Sequence, residues 1–78
     1  MPRELIRHEI AKGESVVCFW SGSIIVVEHR HGGRRTMIGR MGDLVAANHI
    51  AVEFVHKRKQ ELAMTHITKL PAAGGQSA

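Results

Sequence analysis

The chain has one cysteine, three aromatic residues with no tyrosine among them, no long apolar run and no catalytic signature. Each shortage removes a class of protein. A lone cysteine cannot form an internal disulfide, so the fold must hold without staples. Cys18 lies in the segment Val16-Val17-Cys18-Phe19-Trp20, where a free thiol is expected to act as a small buried hydrophobe. Phe19, Trp20 and Phe54 are too few for a platform that stacks successive bases. No segment approaches the ~18 consecutive apolar residues of a membrane span, and Met1-Pro2-Arg3-Glu4 lacks the apolar core of a secretory signal, so the expected compartment is the cytoplasm. Ser15, Ser21 and Ser23 lie near turns without a Gly-flanked nucleophile motif. With no Gly-rich phosphate loop and only scattered carboxylates, no enzyme and no cofactor are expected.

What the chain does have is positive charge, concentrated in one place. Its 78 residues carry 11 Lys and Arg against 7 Asp and Glu, a formal charge of +4, which favours anionic partners. From His29 to Arg40 there are four arginines and two histidines and no carboxylate. The Gly32-Gly33 pair at the centre of that stretch, between two alternating segments, reads as a tight hairpin turn with cations on both arms.

One domain over residues 1–70 is expected, followed by a small, uncharged segment over 71–78 that reads as a disordered tail. Pro2, the acids Glu4 and Glu9, the apolar Leu5, Ile6 and Ile10, and Gly13 as a stop predict a short helix over about residues 3–12. Three strands follow, over 15–20, 24–30 and 34–40, separated by Ser21-Gly22-Ser23 and Gly32-Gly33, with Gly39 marking a bulge or a close approach. Asp43 caps a long helix from Leu44. In that helix Leu44, Ala47, Ile50, Ala51, Phe54, Val55 and Leu62 form an apolar stripe broken by Arg58. The expected class is α+β in the order αβββα.

The strands sort their side chains into one face with Val17, Phe19, Ile24, Val26 and Met37 and another with Val16, Cys18, Trp20, Ile25, Val27 and Ile38. Both faces are apolar. The short helix has too few large side chains to cover the second face, so Trp20, Ile25 and Val27 are candidate interface residues for a partner or a homodimer.

The order αβββα resembles that of double-stranded-RNA-binding domains in topology alone. Where that family starts its last helix with phosphate-gripping lysines, this chain has Gly42-Asp43-Leu44-Val45, so the likeness implies no site residues here. The basic residues themselves supply the functional expectation. Seven strand residues span ~23 Å and fourteen helical residues ~21 Å, so His56-Lys57-Arg58-Lys59 should return level with the hairpin tip. Arg30, Arg34, Arg35, Lys57, Arg58 and Lys59 are the expected contacts to nucleic-acid phosphates, with His29, His31 and His56 adding charge below neutral pH. The alternative is a protein-binding inhibitor or adaptor of the phage or plasmid accessory type, acting on an acidic surface or through the face around Trp20. His49, Glu53 and His56 share one helix flank and His29 and His31 one strand face. Because the outer helix histidines are ~10 Å apart by rise, neither set closes a metal site alone, and no metal is expected.

Overall fold

The computed structural model describes residues 3–69, with side-chain environments for residues 4–65. Four antiparallel strands, β1 (Arg3–Ala11), β2 (Glu14–Ser21), β3 (Ile24–His31) and β4 (Arg34–Met41), form a meander in the order β1-β2-β3-β4. Among the described residues a single helix, α1 (Leu44–Lys69), follows. The class is α+β, as expected. The tail expected over 71–78 lies outside the described residues.

The N-terminal helix expected over 3–12 is instead strand β1. Leu5, Ile6 and Ile10 satisfy a strand as well as a helix, since Ile6, His8 and Ile10 alternate with Arg7 and Glu9 across a period of two. The choice is tertiary: the outer edge of β2 would otherwise leave a row of unpaired backbone groups, and β1 pairs along it from Arg3↔Trp20 to Ala11↔Glu14. Gly13, with φ of 77°, closes the hairpin rather than ending a helix. The resemblance in topology to double-stranded-RNA-binding domains goes with the missing helix.

The other three strands follow the sequence expectation within a residue or two. At the β3–β4 turn both residues have positive φ, Gly32 at 58° and Gly33 at 85°. This left-handed pair matches the right-handed twist of the strands it joins, and side chains other than glycine adopt it only with strain. In β4 the register shifts so that Val27 faces Gly39 and Glu28 faces Met37, which leaves Ile38 as the extra residue of a bulge. Gly39 also admits Ile50 of α1, whose side chain would lie 3.4 Å from a Cβ placed there.

Asp43 caps α1 as expected: its Oδ2 accepts from the Ala46 amide at 2.9 Å and its carbonyl from the Ala47 amide at 3.0 Å. The helix lies on one face of the sheet. Ile10, Val16, Cys18, Ile25, Val27, Ala47 and Ala51 are buried together there, with Ile6, Ile38, Ile50, Phe54, Val55 and Leu62 packed around them. Ile25 and Val27 are therefore core residues under α1 and not an interface, which corrects that expectation. Trp20 stays 39% exposed at the end of β2.

Among the described residues no helix lies over the opposite face. Val17, Phe19 and Val26, with Ile24 beside them, form a second small cluster, yet each of the three is buried. Their cover comes from flanking ionic side chains: Arg30 places its guanidinium 5.7 Å from the Phe19 ring centre, Arg7 bonds Glu4 at 2.9 Å, and Glu28 bonds Arg30 at 2.7 Å. Among the described residues no helix is long and apolar enough to cross a membrane.

Candidate functional site

Two turns meet at one end of the sheet. The Gly32 amide donates to the Gly13 carbonyl at 3.2 Å, tying the β3–β4 turn to the β1–β2 turn. Beneath them, on the helix side, lies a cluster built around a buried acid. Glu14 opens β2 and faces His31 across the β2–β3 ladder, and its side chain is 2% exposed. His29, two residues back on the same face of β3, holds Nε2 at 2.7 Å from Glu14 Oε2. His31 Nε2 lies 3.9 Å from Oε1. From the helix, Arg58 Nε donates to Oε2 at 2.6 Å, and its Nη1 reaches Glu61 at 3.5 Å.

Arg58 is the residue that interrupts the apolar stripe of α1, and Glu14 is the acid that begins the strand carrying the apolar run Val16–Trp20. Each is the other's reason. A buried carboxylate without partners is costly, and a guanidinium delivered by the helix meets that cost at the point where α1 reaches the turns. Burial alone would push the Glu14 carboxyl up, but the hydrogen bonds from Arg58 and His29 and the charges of Arg58 and His31 outweigh it and hold the group below its ordinary value. Phe54, one turn before Arg58, packs its ring 4.7 Å from that of His29, so the imidazole is held from the helix as well as from β2.

The six cations expected to touch phosphate separate into two sets. Arg30 is bound to Glu28 on the open face of the sheet, and Arg58 to Glu14 and Glu61. Arg34, Arg35, Lys57 and Lys59 have no carboxylate within 4.0 Å among the described residues. The helix does return level with the hairpin, because Arg58 contacts the start of β2. The sheet, however, splits the strand cations: Arg34 pairs with His31 on the helix side, while Arg35 pairs with Arg30 on the open side. His29, His31, Gly32, Arg34 and Thr36 line an open cleft of about 540 Å³ beside the cluster.

Of the helix histidines, His49 contacts Glu53 at 3.2 Å, and His56 belongs to the separate shallow cleft with Val52, Glu53 and Lys57. Glu14 is the residue that sequence reasoning did not single out. Its signal was an acid placed in register with His31 at the head of the most apolar strand. Comparison with known protein families, curated proteins and solved structures finds no match for this chain.

Proposed function

We propose that the chain is a small, non-enzymatic cytoplasmic binding module that contacts the phosphates of a nucleic acid with the turn end of its sheet and the adjoining stretch of α1. One asymmetry carries the reading. All seven acids are engaged: Glu4 and Glu9 with Arg7, Glu14 and Glu61 with Arg58, Glu28 with Arg30, Glu53 with His49, and Asp43 with the helix amides. The cations left without an acid at this end, among the described residues, are Lys12, Arg34, Arg35, Lys57 and Lys59. Arg58 is directed at the sheet, and at 100° per residue its neighbours Lys57 and Lys59 flank it on either side of the helix. Arg30 and Arg58 then act as anchors of the framework, and the phosphate contacts fall to the other five, with Arg35 reaching from the open side of the edge strand β4. With few aromatics and none free at this end, recognition would be of the backbone and not of base sequence.

Fluorescence polarisation with a labelled duplex at 50 to 200 mM salt tests this. Five contacts predict a slope of log K against log salt of about −4.5, and Arg34→Ala with Arg35→Ala should lower its magnitude by roughly 2. Binding that is absent at low salt, or indifferent to both substitutions, rejects the reading.

The second reading, an adaptor docking on a protein or on a second copy, is favoured by one observation: Trp20, Leu44, Val45 and Val52 are large apolar side chains exposed in the single chain. A dimer or complex in which Trp20 fluorescence shifts to the blue would support it over the first.

A further inference from the structure

We propose that Glu14, His29 and His31 form a binding site for a divalent transition metal of the zinc type. The three residues come from two adjacent strands, and one potential ligand atom from each lies within 4.8 Å of the other two. Four-coordinate zinc with bonds of about 2.05 Å needs ligand atoms roughly 3.3 Å apart. The neighbouring separations lie on either side of that value: His29 Nε2 is 2.7 Å from Glu14 Oε2, so the imidazole has to draw back from Oε2 to share a metal with Oε1, and His31 Nε2 is 3.9 Å from Glu14 Oε1. Closing the second gap requires movement of His31, the most exposed of the three at 54% of its side chain. Two imidazoles and a carboxylate are a donor set suited to zinc and its borderline neighbours, and a poor one for calcium or magnesium, which take oxygen.

Two features beyond proximity favour a built site. The carboxylate is buried and oriented by Arg58 at 2.6 Å, and a carboxylate has about four lone-pair positions, so Oε1 can bind a metal while Oε2 keeps the guanidinium. Arg58 is then a positioning residue that fixes the ligand's angle. His29 is fixed by the Phe54 ring, and the metal would take the place of the proton that Nε2 donates to Glu14, leaving the ring as the Nδ1–H tautomer. The remaining coordination position opens on the cleft that His29, His31, Arg34 and Thr36 line, where water completes the shell. The helix set of His49, Glu53 and His56 lacks this arrangement, because both His49 and Glu53 are 69% exposed and mutually bonded.

Isothermal titration of the full chain with zinc chloride, after treatment with a chelator, tests the assignment without reference to nucleic acid. The expected result is one zinc per chain with a micromolar or tighter Kd and a rise in Tm. His31→Ala should weaken binding at least tenfold and abolish the Tm rise, and His49→Ala should change neither. If His31→Ala alters the far-UV circular dichroism, His31→Gln takes its place. No heat and no Tm change at 100 µM zinc overturn the assignment, as does binding that survives loss of His31 or is removed by loss of His49.

Discussion

Glu14 and Arg58 show how a polar pair can be required inside a small core. The acid is almost fully buried and the guanidinium about a quarter exposed, so removing one partner strands the other where water reaches it poorly. Arg58→Met is expected to destabilise the chain by about 2–3 kcal/mol in urea unfolding at pH 7 with chelator present. Adding Glu14→Gln to it should recover part of the loss, the sign that the penalty belongs to an uncompensated charge and not to lost packing. Cys18 is the opposite case. Its Sγ sits 3.8 Å from the Ala47 carbonyl under the helix, and burial pushes the thiol above its ordinary value. A raised value means less thiolate at any given pH, so a disulfide reagent at pH 8 should leave the folded chain unmodified and react once it is unfolded in urea.

At the scale of elements, the helix sits close to the sheet where its two fully buried contact residues are small. Ala47 and Ala51 have no exposed surface, so Ala51→Leu would add a branched side chain where there is no room and should cost about 1–3 kcal/mol in a thermal melt. The same closeness lets Arg58 reach Glu14. Strand β1 taught the harder lesson. Its apolar residues are compatible with either period, and its amides gain partners only once β2 exists as an edge. At the other edge, β4 carries Arg34, Arg35 and Arg40 and the bulge at Ile38, features that discourage pairing with a further strand.

For the whole molecule, the uncovered sheet face decides whether a second subunit is needed. Val17, Phe19 and Val26 are already buried in the single chain by Arg7, Glu28 and Arg30 with their ionic partners, so the face presents ionic groups beside one exposed large apolar side chain, Met37. Sedimentation at several hundred micromolar is accordingly expected to show a monomer; a dimer would move weight to the adaptor reading. Among the described side chains, five of the cations without an acid, Lys12, Arg34, Arg35, Lys57 and Lys59, lie near the two joined turns and Arg40 alone lies at the far end of β4, and this uneven distribution would orient the chain toward a polyanion as it approaches.

The residues alone determined a good deal: the α+β class, three of the four strands, both glycine turns of the central meander, the Asp43 cap, the helix stripe apart from the exposed Leu44 and even the sorting of side chains onto the two sheet faces. These follow from local stereochemistry and from periods of two and 3.6, which are written along the chain. Which face the helix would cover, and whether residues 3–11 would be helix or strand, was not local; those choices depend on which arrangement satisfies the edge of β2 and buries Val16, Cys18, Ile25 and Val27. The cluster of Glu14, His29, His31 and Arg58 was decided in the same way. Its members lie up to 44 positions apart, and only the pairing of β2 with β3 beneath a returning helix brings their charges within reach of one another.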